Sequence, residues 1–592
     1  MGGISLVLNA AKDALMSQQY AIDVTSHNVA NVNTPGYSRQ TPILSSKLPA
    51  PYAGFILGRG VELNEIVRNT DSFIETRLRE RNGTLSAMTE EEVYLQALEG
   101  VFNESSGRSL STQFENFWNA WQDLSNNPSG DAERNALYEM GALLAQSFND
   151  LSGDMDQFTR ELKLSLEAGV DKVNQITAEI ASINEQIVSM EVSGQANDLR
   201  DKRNALLNEL SEYIDIKAFE NDDGNMMAMT TSGFTLVDKS ATYQLSIDGN
   251  DIKWEGSGDI EVTITDKISG GKLGGWLNMR DEILPKYEAD LSALAQATIW
   301  EVNKIHSEGV GLDVFQPGQS LTGSYTTTTT LSALSFGGEI DFSGGFNLWI
   351  GDANGENLQQ VTVDLTYVNG GIGPITGASS LAELAASIND QITTAAGLTG
   401  VTASVSGNTL ALTADGTHTF ALSGDTSDIL AALGGNTFFE GSNALTMEMN
   451  SLLESNKEFI AAGVIDSATG TYAAGDNTNA LSMANLQYGN VTIQRWTYER
   501  GQAATSRDVN DTLENYLHSL VGSIGIESQS VSRAKDYNQV VVDQMNATRD
   551  SISAVSLDEE MTNLIKYQQG YTAAAKLIST ADEMFQTLLA TR

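Results

Sequence analysis

Apolar and small side chains recur at heptad spacing at both ends of this chain, and no other feature constrains its fold as strongly. The N-terminal registers are Leu8, Leu15, Ile22 and Val29, and Ile4, Ala11, Gln18 and Thr25. The C-terminal registers are Leu557, Leu564, Tyr571, Ile578 and Phe585, and Met561, Gln568, Ala575, Asp582 and Leu589. Spacings of three and four residues place each set on one helical face, as in a coiled-coil seam. Neither helix buries its stripe alone, so the pattern predicts a subunit whose ends pack in an assembly and are disordered in the isolated chain.

The first helix is predicted to stop near Asn31, because a turn follows it. In Thr34-Pro35-Gly36-Tyr37 the proline presets the first central position, and the glycine supplies the positive φ of a type II turn. The residue before a proline is pushed toward an extended conformation. The following arm, 41–60, holds three prolines and few charges. It is either an extended packing segment or a plain surface loop.

These two patterns define the candidate assembly residues. The N-terminal candidates are Ile4, Leu8, Ala11, Leu15, Ile22, Val29, Asn31, Thr34, Pro35, Gly36 and Tyr37. The C-terminal candidates are Leu557, Met561, Leu564, Tyr571, Ile578, Phe585 and Leu589.

Composition excludes several classes of function. The 592 residues include no cysteine, which rules out disulfides and thiol chemistry, and only four histidines, which are scattered in the sequence. The net charge of −43 argues against a nucleic-acid partner, whose phosphates require a basic face. No apolar run is long enough to span a bilayer, and the N-terminus lacks the features of a secretory signal.

The distribution of charge is more informative than its total. Residues 1–70 carry five basic and four acidic side chains, whereas residues 321–480 carry sixteen acidic side chains and one basic side chain. This contrast fits a subunit that packs through its N-terminal end while its middle faces solvent. Ordinary solubility charge accounts for most of the acidic excess.

No sequence motif assigns a catalytic, cofactor-binding or metal-binding residue. The chain contains no phosphate loop, no nucleophile elbow and no His-Glu-x-x-His zinc motif. The segment 352–357 partly resembles a calcium loop but lacks the bidentate glutamate at the required position, so we interpret it as a polar turn. We therefore expect no enzymatic activity and no cofactor.

Changes in periodicity divide the chain into helical and β segments. Helical spacing runs through 71–121, through 132–192 with an interruption near Ser152-Gly153, and through 197–213, and it returns at 287–305 and 498–552. Alternating, threonine-rich sequence at 216–268 predicts a small β subdomain. Strand-like stretches with one helix follow at 337–439.

We therefore predict a multidomain α+β protein in which the first segment packs near the last. Its terminal amphipathic helices form a coiled-coil-like inner domain, a long-helix bundle carries an inserted β subdomain, and an outer α+β domain follows. The predicted segments are 1–70 and 556–592 (inner domain), 71–215, 271–320 and 491–555 (helical domain), 216–270 (β subdomain) and 321–490 (outer domain).

Several motifs resemble those of the bacterial flagellar rod, hook and hook-associated proteins. Ala30-Asn31-Val32-Asn33-Thr34-Pro35-Gly36-Tyr37 is similar to the family signature A-N-x-x-T-P-G-Y. The runs at 556–560, 567–571 and 580–585 resemble the other end of that family. The segment 198–204, with sequence DLRDKRN, and Gly271-Lys272-Leu273-Gly274-Gly275 are similar to the hook-associated members. Asn204 departs from the aspartate that ends the first of these two motifs.

The resemblance implies a structural adaptor that joins flagellar hook to filament by helical self-assembly through its terminal helices. The implied partners are copies of the chain, the flagellar hook protein, a second hook–filament junction protein (hook-associated protein 3) and an export chaperone on the C-terminal helix. Neither nucleic acid nor membrane insertion is implied. The implied location is the extracellular flagellum, reached through the flagellar type III pathway without a cleaved signal peptide.

Three alternatives share parts of this pattern. The chain could be another axial component, such as the hook protein, although the interrupted helical segments and the 198–203 motif argue against it. An acidic secreted adhesin or toxin would share the composition but not both terminal motifs. A cell-wall hydrolase would need a catalytic constellation, and the sequence contains no recognisable one.

Overall fold

The computed structural model describes residues 2–52, 55–102, 109–191, 194–221, 223–258 and 260–590. Its helices are α1 (Gly2–Ala30), α2 (Ser72–Val101), α3 (Leu110–Asn126), α4 (Asp131–Met190), α5 (Asn197–Tyr213), α6 (Gly271–Asn278), α7 (Leu284–Glu308), α8 (Leu381–Asp390), α9 (Ile429–Leu433), α10 (Ser451–Ser455), α11 (Thr478–Leu486), α12 (Leu513–Ser553) and α13 (Leu557–Ala590). Within the described ranges, no helix combines the length and apolar character that crossing a bilayer requires. The protein is a mixture of helix and sheet with long helices at both termini.

The strands form small antiparallel sheets between these helices. They are β1 (Gln40–Ser46), β2 (Ala50–Tyr52), β3 (Phe55–Leu57), β4 (Val61–Arg68), β5 (Ile216–Glu220), β6 (Met226–Thr230), β7 (Thr235–Asp238), β8 (Ala241–Thr242), β9 (Leu245–Asp248), β10 (Asp251–Glu255), β11 (Glu261–Thr263), β12 (Ser320–Thr322), β13 (Gly345–Asp352), β14 (Gln359–Asp364), β15 (Val401–Ser406), β16 (Thr409–Ala414), β17 (His418–Ser423), β18 (Phe439–Glu440), β19 (Glu448–Met449), β20 (Val491–Thr497) and β21 (Thr505–Asp511). The sheets are β1–β4, β2–β3, β5–β6–β7–β8, β9–β10–β11, β12–β16–β15, β14–β13–β17, β18–β19 and β20–β21.

The chain divides into two compact units. The first unit contains Met1–Val93, Glu161–Met279 and Gln529–Arg592, and the second contains Tyr94–Arg160 and Arg280–Ser528. The boundaries fall inside α2, α4 and α12. Each of these three long helices therefore contributes residues to both units.

In the first unit, glycines allow α6 to approach its neighbours closely. Gly271 has a φ of +71°, and a Cβ on it would collide with the backbone of Tyr213 at the end of α5. A Cβ on Gly275 would collide with the carbonyl oxygen of Ala87 on α2. Only glycine fits these two positions, which explains the glycine-rich motif at the start of α6.

A buried polar network in the same unit joins α4, α5 and the β5–β8 sheet. The Asn184 amide nitrogen donates to the carbonyl oxygens of Met226 and Lys239, both at 2.8 Å. Arg203 is fully buried and donates to Asn184 Oδ1 at 3.0 Å and to Glu220 at 2.6 Å. Because a buried guanidinium is costly without partners, these bonds hold α5 against the sheet in one arrangement.

The second unit has an aromatic core that includes residues far apart in sequence. Phe117 and Trp121 of α3 lie 5.7 Å and 5.4 Å from Phe438, measured between ring centroids. Asn303 of α7 accepts the backbone N–H of Phe438 at 3.0 Å and donates to the carbonyl oxygen of Phe439 at 2.9 Å. Part of the segment 321–490 therefore completes the core around α3.

The predicted continuous helix over 71–121 is two helices. α2 ends at Val101, and Ser109 caps the start of α3 by accepting the Thr112 N–H on its hydroxyl oxygen at 3.3 Å. Serine is a preferred N-cap residue, so this start has a local sequence cause that the helical periodicity concealed.

The predicted interruption near Ser152-Gly153 does not occur, and α4 is continuous over 60 residues. Phe148 and Met155 on either side of this pair are fully buried. A glycine in a helix costs roughly 1 kcal/mol, which is less than the burial of two such side chains contributes.

The predicted helix over 498–552 begins later, because the β20–β21 hairpin precedes it. The buried Asp290 of α7 accepts the Trp496 N–H at 2.7 Å, and the Tyr516 hydroxyl donates to the Gln494 carbonyl oxygen at 2.7 Å. These contacts anchor β20 to two helices, and they depend on residues distant in sequence.

His306 of α7 lies in the aromatic core of the second unit and is fully buried. Its Nδ1 lies 2.7 Å from the carbonyl oxygen of Asn436, so Nδ1 carries the proton and donates it. Its Nε2 accepts the Ala461 N–H at 3.0 Å. Burial, and more weakly the charge of Arg134, lower the pKa of His306 to about 4. The neutral imidazole therefore fills both of its hydrogen-bonding roles.

We expect the second unit to lose stability as the pH falls from about 6.5 to about 4. The unfolded chain binds a proton on this histidine near its ordinary pKa of 6.5, whereas the folded chain does not until about pH 4. The loss reaches about 3 kcal/mol, since one pKa unit corresponds to about 1.4 kcal/mol. Urea unfolding followed by the fluorescence of the buried tryptophans of α3 measures it at each pH.

The variant His306→Gln should be less stable at neutral pH and should lose this part of the pH dependence. His518→Gln, at an exposed histidine, is the matched control and should keep the parental dependence. If His306→Gln loses as much stability on acidification as the parent protein does, the pH dependence comes from the carboxylates and not from His306.

Candidate functional site

The terminal helices α1 and α13 lie against each other within the first unit. The Asn28 amide nitrogen donates to Glu560 Oε2 at 3.1 Å. A Cβ added to Gly570 would lie 2.8 Å from Gln18 Oε1. Since residue numbers rise along one helix as they fall along the other, the pair is antiparallel. The pairing of the two terminal helices thus forms within the single chain.

The most buried positions of the two helices include small side chains. Ala11 and Ala21 of α1, and Ala574 and Ala581 of α13, are all at least 96% buried. Small residues let helix axes approach, because the distance between axes depends on the side chains at the contact. The deepest register of α13 therefore contains alanines, whereas the sequence analysis selected registers by their large apolar residues.

The N-terminal candidate residues differ in their burial. The fully or partly buried ones are Ala11, Leu15, Ile22, Val29, Asn31 and Tyr37. The exposed ones are Leu8, Thr34, Pro35 and Gly36. Ile4 lies in α1, but its side chain is outside what the structure describes.

Most C-terminal candidate residues remain exposed in the single chain. Leu564 and Ile578 are partly buried. The exposed ones are Leu557, Met561, Tyr571, Phe585 and Leu589. Their relative exposure runs from 37% for Tyr571 to 58% for Leu589, so the intrachain helix pair leaves a large apolar surface uncovered.

The structure confirms the turn after the first helix. Gly36 has a φ of +76°, and the Tyr37 N–H donates to the Thr34 carbonyl oxygen at 3.2 Å. The Thr34 hydroxyl donates to Asn31 Oδ1 at 3.1 Å, and the Asn31 amide donates to the His27 carbonyl oxygen at 3.0 Å. These bonds satisfy groups that the end of α1 would otherwise leave unpaired.

Asn28 is the central polar residue between α1 and the arm, and it is 1% exposed. Its amide nitrogen donates to the Gln40 carbonyl oxygen at 2.8 Å and to Glu560, while its Oδ1 accepts the Gln40 N–H at 3.0 Å and the Tyr37 hydroxyl at 2.8 Å. All four hydrogen-bonding positions of the side-chain amide are filled. Asn28 thus pairs with both backbone groups of Gln40, as a neighbouring strand would.

Two aspartates of α5 bind the segment that follows the turn at Gly36 and the end of β4. Asp201 accepts the Ser38 N–H at 2.9 Å and the Arg68 guanidinium at 2.8 Å. Asp198 accepts the Gln40 side-chain amide at 2.9 Å. Asp198 and Asp201 are three residues apart and share one face of α5, whereas the buried Arg203 faces the β sheet. The 198–203 motif therefore serves two different neighbours.

Arg39 connects the same segment to the C-terminal helices. Its Nε donates to Glu560 Oε1 at 2.8 Å, a second guanidinium nitrogen donates to Glu559 at 2.6 Å, and its backbone N–H donates to the Ser553 carbonyl oxygen at 2.8 Å. Glu560 is 2% exposed, so its carboxylate depends on Arg39 and Asn28 for compensation.

Tyr37 lies beside these carboxylates without bonding to them. Burial raises its pKa, and the charges of Asp198, Asp201 and Glu560 raise that pKa further. The hydroxyl therefore stays protonated and donates to Asn28. Since that donation uses its one hydrogen, His27 Nδ1, at 3.0 Å, donates to the tyrosine oxygen.

Several of these polar residues lie within the motifs identified from the sequence, but none of them was predicted to be a site residue. The missed ones are Asn28, Ser38, Arg39, Gln40, Asp198, Asp201 and Glu560. The sequence did contain one signal for these residues. A polar or charged side chain within an apolar helical stripe or beside a turn needs a partner if it is buried, so such residues are candidates for a polar contact. Which partners they meet depends on tertiary contacts. Among the described residues, no group of three metal-liganding side chains is placed to hold an ion.

Models of three flagellar families match this chain. Residues 95–321 match the helical domain of flagellar hook-associated protein FlgK. Residues 8–37 match the flagella basal body rod protein family, and residues 549–591 match the C-terminal family of the flagellar basal body rod FlgEFG proteins. The two rod-protein matches cover the helices that the structure pairs.

Bacterial relatives are similar over almost the whole chain. Flagellar hook-associated protein 1 of Bacillus subtilis is 27% identical, across 98% of this chain and 97% of that protein. Its counterpart in Salmonella typhimurium is 26% identical, across 99% and 100%. The flagellar hook junction protein FlgK of Burkholderia pseudomallei shares the fold, with a TM-score of 0.51 and 16% identity, across 81% of this chain and 100% of that structure. The chain is therefore similar to flagellar hook-associated protein 1 over nearly its full length, and its two terminal segments match models of flagellar rod proteins.

Proposed function

We propose that this chain is an axial structural protein of the flagellum that joins hook to filament by helical self-assembly. The observation that carries the proposal is the apolar surface that remains on the paired terminal helices. Proteins named hook-associated protein 1 match this chain end to end, which supports a junction role. Helical assembly needs a surface that repeats from copy to copy, and the exposed side chains of α13 provide one.

Charge supports contact between copies at these ends. Residues 557–592 carry five acidic and three basic side chains, and residues 1–70 carry four acidic and five basic side chains. The terminal segments together are thus nearly neutral in a chain of net charge −43. Copies that approach through them avoid most of the repulsion that the acidic remainder would impose.

In this proposal the terminal helices form the inner layer of the assembly, and the acidic segment 321–490 faces outward. The proposed partners are copies of the chain, the flagellar hook protein and hook-associated protein 3, with an export chaperone bound to α13 before assembly. The proposed location is the extracellular flagellum, reached through the type III pathway without a cleaved signal. The structural role requires no catalytic residue and no cofactor.

The intrachain helix pair should be sensitive to side-chain size at its small contact positions. Ala574→Leu should loosen α13 from α1 by about 1–3 kcal/mol, because added methylenes do not fit a close helix contact. Ala573→Leu, one residue away on the exposed face, should have little effect. Hydrogen exchange of α13 in the monomeric chain measures both. Equal, rapid exchange in the parent and both variants would show that the ends are disordered before assembly.

Phe585→Ala should weaken the junction without destabilising the monomer. Phe585 is 40% exposed in the single chain. If assembly buries the remainder of this side chain, its truncation costs roughly 3–5 kcal/mol in every subunit. We expect a nearly unchanged melting temperature and filament subunits lost to the medium. Gln586→Ala, at an exposed polar neighbour, is the control.

Secretion must be measured in the same cells, because a chaperone site on α13 would also be altered. Normal secretion with detached filaments supports Phe585 as a packing residue. Normal secretion with filaments that withstand shear would remove Phe585 from the proposed interface.

A further inference from the structure

We infer that Ser38-Arg39-Gln40 is a two-sided clamp that sets the orientation of the terminal helix pair on α5, with Asp201 and Glu560 as its positioning residues. The clamp segment is the short stretch between the turn at Gly36 and strand β1. The role of the clamp segment as a link between assembling helices and the rest of the first unit rests on the proposed function. The geometry of the clamp segment is independent of that function.

Three consecutive backbone N–H groups of the clamp segment bond to three different helices. The Ser38 N–H donates to Asp201 of α5 at 2.9 Å. The Arg39 N–H donates to the Ser553 carbonyl oxygen at the end of α12 at 2.8 Å. The Gln40 N–H donates to Asn28 of α1 at 3.0 Å. Displacing any one of these helices leaves a backbone donor of the same segment unpaired, which costs free energy in a buried site.

The side chains of the clamp segment also reach two sides, with α5 on one side and α13 on the other. Gln40 reaches Asp198 on α5, whereas Arg39 reaches Glu559 and Glu560 on α13. Successive side chains of an extended segment point to opposite faces, so a segment leading into β1 can hold two helices at once. A helical segment of this length could not.

The two positioning carboxylates are buried, at 6% exposure for Asp201 and 2% for Glu560. Arg68 and Arg39 pair with them at 2.8 Å in each case. Buried ion pairs contribute little net stability, but breaking one by removing a partner is strongly unfavourable. Such pairs therefore select one arrangement of the elements that carry them.

The other face of α5 extends this connection. Arg203 holds the β5–β8 sheet through Glu220 and Asn184. The 198–203 motif thus joins the sheet on one face to the clamp segment on the other. In an assembly, force on the terminal helices would reach the sheet through the clamp.

The test uses the variants Asp201→Asn and Glu560→Gln, singly and together, in the purified full-length chain. Each removes one charge and retains the shape of the side chain. Glu209→Gln is the matched control, because Glu209 lies on α5 and pairs with Lys172 at 2.8 Å without contacting the clamp segment. Hydrogen exchange is measured for the clamp segment, for the first turns of α13 and for β6.

We expect each clamp variant to speed exchange on both sides of the clamp. Asp201→Asn should raise exchange at the start of α13, and Glu560→Gln should raise it at Ser38, each by about 10-fold or more, since hydrogen bonds to charged groups contribute about 1.5–3 kcal/mol. The double variant should show less than the sum of the two effects. Exchange in β6 should stay slow, which verifies that the unit remains folded.

A distance measurement tests orientation directly. The chain has no cysteine, so Glu185→Cys on α4 and Gln569→Cys on α13 supply two spin labels at exposed positions. Both clamp variants should broaden the distance distribution, and Glu209→Gln should not.

Three results would each overturn the clamp proposal. They are faster exchange that is confined to the substituted side, additive effects of the two substitutions on exchange, and an unchanged distance distribution. These readouts need no flagellum, so they are independent of the junction proposal. A broadened distribution in a chain that does not join hook to filament would keep the clamp and reject that function.

Discussion

The arrangement of the terminal helices depends on a carboxylate that has almost no contact with water. Glu560 is 2% exposed and is compensated by Arg39 and Asn28, which belong to the opposite end of the chain. A charge in such a place is tolerated only where its partners arrive in the right geometry. Ala11, Ala21, Ala574 and Ala581 are buried small residues on α1 and α13. The polar contacts around Glu560 and Asn28 link both helices to the segment that follows the turn at Gly36.

The helix pair combines buried contacts between its two members with exposed apolar side chains. One pair of helices can therefore be ordered in the single chain and still be available for assembly. Small side chains are buried on both helices, whereas large apolar side chains such as Met561 and Phe585 remain exposed. The near-neutral charge of the termini reduces repulsion between copies of an otherwise acidic chain. The same two helices can therefore bind each other and present an apolar surface to neighbours.

The predictions that rested on local chemistry were accurate. The type II turn at Pro35-Gly36 was confirmed, because proline and glycine restrict their own backbone angles. Helix α5 has the predicted bounds, and the threonine-rich segment after it forms the predicted strands. The errors arose where distant contacts outweighed local preference. α4 runs through Ser152-Gly153 because buried neighbours hold it, and β20 forms a strand because Asp290 and Tyr516 anchor it.

The sequence by itself determined that both ends are amphipathic helices, that a turn follows the first one, and that the terminal motifs resemble those of flagellar proteins. Periodicity and turn residues act over a few positions and can be read without knowing the fold. Only the tertiary structure decided which face of each helix is buried, since the alanine register and the large apolar register differ in their neighbours and not in their spacing. It also decided the role of the 198–203 motif. Asp201 meets Ser38, and Arg203 meets Glu220, because the chain folds back on α5 from both directions.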